Sequence, residues 1–305
     1  SINHAKAESL DSVSHTNDKY LGFIGSYGNR WANAALRESD LLIVLGSRLD
    51  VRQTGNDISE FIAHKKIVRV DIDDHELTGR ITSDLVIKAD ISEFLRTLID
   101  IDYKIDCTSF ISQIKIIRNE HPQELEQMNN LKLNPNILME WLSATYTQAS
   151  GYVVDVGQHQ MWAAQSIRLE SGQRFLTSGG LGAMGFALPA SIGAAVSMKG
   201  NWVLISGDGC MQLSSPELQT IVQYKLPITV CVINNGQHGM VAQFQDENMN
   251  GRLTGTREGF SNPNFQELAR AYGFLNVHKI ESESELLELS TAVKEWKEGP
   301  TFLEF

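Results

Sequence analysis

Residues 202–235 read WVLISGDGCMQLSSPELQTIVQYKLPITVCVINN. Two continuous apolar runs, 202–206 and 228–233, flank a segment with a helical pattern. Continuous rather than alternating apolar runs are typical of parallel strands that helices cover on both faces. The stretch is therefore predicted to form one βαβ unit, whose crossover is right-handed almost without exception.

The helix of this unit is predicted to begin after Ser214. The sequence Ser-Ser-Pro-Glu at 214–217 has the spacing of a capping box, in which Ser214 caps the helix and Glu217 reaches back to it. Pro227 then ends the crossover just before the second strand.

Polar residues follow both strands. Asp208 stands between Gly207 and Gly209 after the first strand, and Asn234-Asn235 follows the second. Ligands of open α/β sheets bind at the carboxyl ends of the strands, and Mg²⁺ prefers oxygen ligands such as carboxylate, amide and backbone carbonyl groups. The glycines let a phosphate approach the backbone closely. Each half alone also fits an ordinary strand-to-helix turn, whereas the pair predicts a Mg²⁺-diphosphate site.

The same alternation of strand and helix runs through most of the chain. It predicts an α/β fold with two doubly wound parallel-sheet domains, at 1–103 and 134–305, joined by a charged helical connector at 104–133. Residues 1–20 are polar and aperiodic and are predicted to be irregular. Strands are predicted at 41–45, 67–72, 85–87, 152–156, 175–178, 202–206, 228–233, 275–279 and 301–305. Helices are predicted at 29–37, 57–64, 91–99, 135–148, 160–167, 184–198, 215–225, 265–271 and 283–297.

Composition excludes several classes of protein. The 305 residues carry 26 basic and 37 acidic side chains, a formal net charge of −11, which argues against nucleic acid or an anionic membrane as the main partner. No apolar run approaches the roughly 18 residues of a membrane span and no signal peptide opens the chain, so a cytoplasmic location is expected. Three cysteines, Cys107, Cys210 and Cys231, form no CxxC pair, which suits a reducing compartment and predicts no zinc site.

The motif of Gly-Asp-Gly, then residues 210–233, then Asn-Asn resembles the thiamine-diphosphate binding motif. Its neighbours VGQHQMWAAQ (156–165), TSGGLGAMGFALPASIGAA (177–195) and NNGQHGMVAQFQ (234–245) resemble the large, catalytic subunit of acetolactate synthase. In the first half, GSYGNRWANAA (25–35) and SDLLIVLGSRLDVRQTG (39–55) resemble the middle domain of the same family. The resemblance begins near residue 20 and runs over nearly the whole remaining chain.

The resemblance implies the cofactors and the residues that hold them. Mg²⁺ would be bound by Asp208, Asn235 and the carbonyl oxygen of Gln237. Met184 would support the bent shape of the cofactor, and Met184, Met240 and Phe244 are the residues assigned to the reacting end. The full set expected to contact thiamine diphosphate is Gln158, His159, Gly182, Met184, Gly207, Asp208, Gly209, Cys210, Asn235, Gln237, His238, Gly239 and Met240.

Simpler roles stay open for several of these residues when they are considered without the motif. Met184 lies in a stretch of small apolar residues and fits a core side chain. His159 and His238 fit helix N-terminal residues with satisfied side chains. Cys210 has no base near it in sequence that would make it a nucleophile.

A second glycine pattern suggests a different cofactor. Gly180–Gly185 fits G-x-G-x-x-G, with Asp208 at the distance of a ribose-binding acid. Because Asp208 is already accounted for by the metal motif, and because this stretch is not the first βαβ unit of its domain, a dinucleotide role is disfavoured.

The middle domain of the family often binds FAD, and part of that pattern is present. The matching residues are Gly46, Arg48, Asp50, Arg52, Asp71 and Asp90. Ser26-Tyr27 stands where the family usually has Met-His, and Val51 replaces an acid. FAD and a sheet without flavin are therefore both open, while Arg48 and Arg52 favour some anionic ligand.

The resemblance implies a decarboxylating carboligase that condenses two pyruvates to 2-acetolactate and CO₂, a step of branched-chain amino acid biosynthesis. Phe244 stands where the family normally has a Trp that helps select 2-oxobutyrate as acceptor. A related decarboxylase or carboligase with another 2-oxoacid donor or an aldehyde acceptor is therefore the alternative. The family's site forms between subunits, so the intact enzyme is expected to be a homodimer or tetramer.

One part of the family pattern has no counterpart in these residues. The family's first domain binds the pyrimidine ring and supplies the glutamate that activates the cofactor. The chain would open inside the middle domain without that domain's first strand, and it would end at the strand 301–305 without a C-terminal arm. We therefore expect the chain alone to be inactive, and a non-catalytic cofactor-binding fragment is a further alternative.

Overall fold

The computed structural model describes residues 4–6, 10–17, 19–101, 106–121, 133–295 and 299–305. The chain divides into two compact units, 1–126 and 127–305. Both have the predicted architecture of parallel strands with helices between them. The predicted connector at 104–133 contains one described helix, at Thr108–Glu120, and much of the rest of that stretch lies outside the described residues.

The elements are numbered in chain order. The strands are β1 (His4–Lys6), β2 (Tyr20–Phe23), β3 (Leu41–Leu45), β4 (Lys66–Asp71), β5 (Leu85–Lys88), β6 (Gly151–Val154), β7 (Arg174–Thr177), β8 (Trp202–Gly207), β9 (Ile228–Ile233), β10 (Asn276–Lys279) and β11 (Thr301–Glu304). The helices are α1 (Arg30–Glu38), α2 (Val51–Thr54), α3 (Ile58–Ile62), α4 (Asp74–Leu77), α5 (Ile91–Asp100), α6 (Thr108–Glu120), α7 (Pro135–Thr145), α8 (Gln158–Ser166), α9 (Ala187–Ser197), α10 (Asp208–Ser214), α11 (Leu218–Gln223), α12 (Gly239–Asn248), α13 (Phe265–Tyr272) and α14 (Glu283–Glu295).

The first unit contains two small parallel sheets. Strands β3, β4 and β5 pair in that order, and β1 pairs with β2. The apolar strand LLIVL packs Val44 with Phe61, Ile67 and Ile81, so that α3 covers the sheet. Aspartates cap four helices of this unit, namely Asp50, Asp57, Asp73 and Asp90.

The second unit is built on a six-stranded, all-parallel sheet with the order β10-β11-β9-β8-β6-β7. Every residue of β6, β8 and β11 is buried. This explains why these strands read as unbroken apolar runs, since helices cover both faces. Trp202, Phe265 and Phe302 are the largest fully buried side chains of its main core.

The strand order places a crevice in the middle of this sheet. From β6 the chain moves to β7 on one side, whereas from β8 it moves to β9 on the other side. The connections after β6 and β8 therefore leave in opposite directions, which opens a gap at their carboxyl ends. Gaps of this kind are the usual ligand-binding points of open α/β sheets.

Two local predictions are wrong. Residues 1–20 were expected to be irregular, but His4–Lys6 form β1, a short strand that gains order by pairing with β2. The capping box at Ser214 does not form, because helix α10 already begins at Asp208 and Ser214 makes no capping hydrogen bond. Glu217 instead accepts a hydrogen bond from the hydroxyl of Thr220 at 3.0 Å.

Strand β2 and helices α2, α4 and α12 have no counterpart among the predicted elements. Most other differences are shifts of element ends. Helix α9 begins at Ala187 rather than at 184, and α8 begins two residues earlier than predicted. Among the helices that the structure describes, none combines the length and the apolar character that a bilayer span requires.

Candidate functional site

Asp208 lies at the carboxyl end of β8 and is only 3% exposed. Its Oδ1 accepts a hydrogen bond from the backbone N–H of Gly209 at 2.8 Å. Its Oδ2 accepts two, from the N–H of Gly236 at 2.9 Å and from the side-chain amide of Asn262 at 2.8 Å. A carboxylate offers about four acceptor positions, so Oδ1 keeps capacity for one more ligand.

The turn after β9 lies beside Asp208. Asn235 Oδ1 accepts from the backbone N–H of Gln237 at 3.2 Å, and its Nδ2 donates to Gln158 Oε1 at 3.1 Å. Gly236 has a φ of +67°, a backbone conformation that favours glycine. The structure thus brings Asp208, Asn235, Gln237 and Gln158 to one edge of the sheet.

A partly buried polar network behind this edge was not predicted from the sequence. Asn234 Nδ2 donates to Glu304 Oε1 at 2.8 Å, and Glu304 Oε2 accepts from Gln266 Nε2 at 2.8 Å. Asn262 donates to Asn234 Oδ1 at 2.7 Å as well as to Asp208. These partners are 28 to 70 residues apart in sequence, so no local pattern could have identified them.

Glycine is required at two positions, because histidine rings pack directly against the backbone there. A Cβ on Gly209 would lie 2.4 Å from Cε1 of His238. A Cβ on Gly207 would lie 2.9 Å from the ring of His159. The glycines of the Gly-Asp-Gly motif therefore admit both imidazole rings to the edge where Asp208 lies.

His159 is buried in the first turn of α8. Burial lowers the pKa of its ring to about 4. A hydrogen bond with the backbone of Asp155 raises the pKa, but by less than burial lowers it. Its Nε2 has no hydrogen-bond partner among the described residues. The ring is therefore neutral near pH 7, and the simpler role of a fully satisfied helix-terminal histidine does not apply to it.

Asp155 was not among the predicted site residues, although it directly precedes the quoted block VGQHQMWAAQ (156–165). Its carboxylate is fully buried and accepts backbone N–H groups of Val156 (2.9 Å), Gly185 (2.9 Å) and Ala187 (3.2 Å). It therefore ties the end of β6 to the loop before α9. That loop carries Gly182, with a φ of +69°, and Met184, which is 40% exposed.

Cys210 is buried beside Asp155. Its Sγ–H donates to the carbonyl oxygen of Val156 at 3.1 Å. Burial, with the nearby Asp155 charge, raises the pKa of the thiol to about 12, so it is not a nucleophile at neutral pH. This environment agrees with the sequence, which places no base near Cys210 that would make it a nucleophile.

Helix α12 carries the remaining predicted site residues. It begins at Gly239, where a Cβ would lie 1.9 Å from Gln158 Oε1. Met240 is half-buried in its first turn, and Phe244 is 54% exposed one turn later. His238, just before the helix, stacks edge-on against Phe260 with ring centroids 4.6 Å apart.

The donor set at this edge fits a hard cation and a diphosphate. Asp208 Oδ1 and Asn235 Oδ1 each accept one hydrogen bond and retain acceptor capacity, and oxygen ligands of this kind suit Mg²⁺. No three His, Cys, Asp or Glu side chains converge as a metal site within the described ranges, so a metal would depend on one carboxylate with amide and carbonyl oxygens. Helix α8 starts at the same edge without a side-chain cap, which suits an anion.

The residues predicted for FAD all lie in the first unit. Gly46 and Arg48 follow β3, and Asp71 ends β4. Asp50 caps α2 through a complete capping box with Gln53, and Asp90 caps α5. Both carboxylates thus have structural partners within their own turns, and Arg52 is exposed on α2.

Two family profiles match the chain. Residues 155–305 match the C-terminal TPP binding domain of thiamine pyrophosphate enzymes, and residues 4–98 match the central domain of the same enzymes.

Similar curated proteins include three acetolactate synthases. The large subunit from Porphyra purpurea is 36% identical over 260 residues, covering 83% of this chain and 43% of the relative. The protein from Mycobacterium bovis is 34% identical over 295 residues, covering 93% and 47%. The large subunit from Corynebacterium glutamicum is 34% identical over 307 residues, covering 97% and 48%. The chain thus spans about half the length of the curated relatives it matches.

Proposed function

The chain belongs to the thiamine pyrophosphate enzymes, and we propose that it binds thiamine diphosphate with Mg²⁺ at the carboxyl ends of β6, β8 and β9. We propose further that it serves a decarboxylating carboligase that converts two pyruvates to 2-acetolactate and CO₂. The observation that carries the binding proposal is Asp208, a buried carboxylate at the switch point of the sheet whose Oδ1 keeps acceptor capacity.

Different residues at this edge of the sheet would bind the metal and the diphosphate. Asp208 Oδ1, Asn235 Oδ1 and the carbonyl oxygen of Gln237 would hold the metal. Gln158 fixes the amide of Asn235 by accepting its N–H at 3.1 Å, which leaves the Asn235 oxygen directed to a cation. Gly207 and Gly209 leave room for His159 and His238, which would lie along the diphosphate.

The remaining roles concern the organic part of the cofactor and the substrate. Met184 and Gly182 lie on a loop that Asp155 anchors, so a side chain supporting the cofactor from that loop would be held in place. Met240 and Phe244 lie on one face of α12. When bound, thiamine diphosphate supplies the electron sink for loss of CO₂ from a 2-oxoacid.

Phe244 is the reason for considering an alternative activity. Its ring is smaller than indole, lacks the N–H, and is 54% exposed, so the acceptor side differs from the family pattern. The alternative is a related enzyme with another 2-oxoacid donor or an aldehyde acceptor. FAD binding by the first unit and a homodimer or tetramer remain predictions of the resemblance alone, and a cytoplasmic location remains a prediction from composition.

Calorimetry with thiamine diphosphate, with and without Mg²⁺, tests the binding proposal. We expect Mg²⁺-dependent binding that Asp208→Ala abolishes, because the variant loses the only carboxylate of the proposed metal set. Asp57→Ala, which removes an exposed capping acid of the first unit, is the matched control and should bind as the wild type does. Undiminished binding by Asp208→Ala would reject the metal assignment.

Incubation with pyruvate tests the activity. We expect the 305 residues to bind the cofactor without turnover, because the resemblance assigns the activating glutamate to a domain other than the two matched here. Turnover by these residues alone would contradict that expectation. Its products would then separate the two activities, since 2-acetolactate supports the first and free aldehyde without acetolactate supports the alternative.

A further inference from the structure

We infer that Asn262 is a positioning residue for the metal-binding carboxylate, an inference that rests on the proposed function of Asp208. The side-chain amide nitrogen of Asn262 donates to Asp208 Oδ2 at 2.8 Å and to Asn234 Oδ1 at 2.7 Å. Its two N–H groups therefore join the carboxyl ends of β8 and β9, the two strands that carry the proposed metal ligands.

The orientation of the Asn262 amide is determined by its partners. Its oxygen accepts a hydrogen bond from Gln212 Nε2 at 2.8 Å, on helix α10. Rotating the amide by half a turn would place its oxygen against the oxygens of Asp208 and Asn234, and its N–H₂ group against the Gln212 donor. All of its hydrogen-bonding groups are thus used in one orientation.

This arrangement decides which oxygen of Asp208 faces a ligand. Asn262 and the N–H of Gly236 together occupy Oδ2. Among the described residues, Oδ1 accepts a hydrogen bond only from the N–H of Gly209. The carboxylate is held in one rotamer, with Oδ2 engaged by the protein and Oδ1 retaining the capacity to bind a cation.

The partner on the other side of Asn262 is held just as firmly. Asn234 donates through Nδ2 to Glu304 Oε1 at 2.8 Å, which directs its Oδ1 towards Asn262. Glu304 is buried, and its second oxygen accepts from Gln266 at 2.8 Å. The chain of bonds from Gln266 to Asp208 therefore crosses the ends of β11, β9 and β8.

A role confined to its own loop does not account for Asn262. The helix that follows, α13, is capped by Asn264, whose side chain accepts from the N–H of Glu267 at 3.1 Å. The partners of the Asn262 side chain are instead 28, 50 and 54 residues away. Residues that orient a metal ligand commonly change metal affinity by about 10–100-fold when they are replaced.

The test titrates Mg²⁺ at fixed thiamine diphosphate and follows cofactor binding in the wild type, Asn262→Ala and Asn262→Ser. We expect Asn262→Ala to raise the Mg²⁺ concentration at half-saturation by about tenfold or more, with full binding restored at high Mg²⁺. Asn262→Ser keeps one hydroxyl donor and should give a smaller increase. Asn264→Ala is the matched control, since it removes the neighbouring cap without a contact to Asp208.

The melting temperatures of the same variants separate positioning from folding. We expect Asn264→Ala to lower the melting temperature with no change in the Mg²⁺ requirement. An Asn262→Ala protein with the wild-type Mg²⁺ requirement, or with an increase that Asn264→Ala matches, would overturn the inference. A wild type that fails to bind thiamine diphosphate at any Mg²⁺ concentration would overturn the proposed function and this inference with it, and that result is visible before any variant is made.

Discussion

The acidic residues at the strand ends of the two units are held in different ways. In the first unit, Asp50 accepts from the backbone of Arg52 and Gln53, two and three residues on, and Asp90 accepts from Ser92. In the second unit, the partners of Asp155 and Asp208 include groups 28 to 54 residues away.

This difference separates acids that begin a helix from acids that lie at the proposed site. A capping aspartate is satisfied by its own turn and needs no other partner. Asp155 and Asp208 are buried. Their hydrogen-bond donors include groups on loops that are distant in sequence and that the fold of the sheet places beside them. The acids of the first unit that match the FAD pattern are therefore weak evidence for FAD, because helix capping accounts for them. The buried acids of the second unit are not explained by capping and fit the proposed cofactor site.

The largest effect is expected from Asp155→Asn. Asn is isosteric with Asp, but its N–H₂ group would face one of the backbone N–H donors that the carboxylate now accepts. Hydrogen bonds to a charged group contribute about 1.5–3 kcal/mol each. We expect the free energy of unfolding to fall by about 3 kcal/mol or more, measured by urea denaturation.

The matched variant in the first unit is Asp50→Asn. Asn caps helices about as well as Asp, so the loss should stay below about 0.5 kcal/mol. Equal losses for Asp155→Asn and Asp50→Asn would remove the distinction between the two groups of acids.

The next effect concerns pH and His159. Its pKa of about 4 in the folded protein lies below the ordinary 6.5 because the ring is buried. The unfolded chain therefore binds a proton that the folded protein lacks, so this contribution to stability is complete above pH 6.5 and is lost as the pH falls towards 4. We expect a loss of about 2 kcal/mol between pH 8 and pH 5.

Urea midpoints across that pH range check the expectation. His159→Gln and His159→Asn both remove the titrating ring, so each should flatten the profile by the same amount. A profile as steep in both variants as in the wild type would assign the acid sensitivity to other groups.

A small effect on stability, together with an effect on cofactor binding, is expected at Gly239. A Cβ there would lie 1.9 Å from Gln158 Oε1, but Gln158 is flexible and can rotate away. Gly239→Ala should therefore change the free energy of unfolding by less than about 1 kcal/mol. It should weaken thiamine diphosphate binding several-fold in calorimetry, because Gln158 then loses Asn235.

Gly193→Ala is the control for this prediction. Gly193 lies inside α9, and an added Cβ meets no atom within 4 Å. The replacement should raise stability by about 0.5–1 kcal/mol without changing cofactor binding. If Gly239→Ala leaves thiamine diphosphate binding unchanged, the Gln158–Asn235 hydrogen bond does not contribute to cofactor binding.

Much of the fold could be predicted because the parallel strands are buried on both faces. The bounds of β3 and β9 agree with the apolar runs at 41–45 and 228–233. Ser214 shows where such reasoning fails. A capping box is only a local preference, and here the helix starts earlier, at Asp208, where the strand ends.

The site could be predicted in part. Asp208 and Asn235 were recognisable because each follows an apolar strand directly. Asn262 and Glu304 carry no local signal, since their partners Asp208 and Asn234 are 54 and 70 residues away. Long-range hydrogen bonds of this kind depend on the strand order, which the chain pattern alone does not specify.

Strand β11 is last in sequence but lies inside the sheet, between β9 and β10. Its Glu304 also orients Asn234, so the edge that holds Asp208 is complete only when β11 has paired. During synthesis, a chain that lacks residues 301–304 would expose the unpaired backbone of β9, a template for aggregation. Assembly of this edge therefore requires the pairing of β11, because that strand brings Glu304 to Asn234.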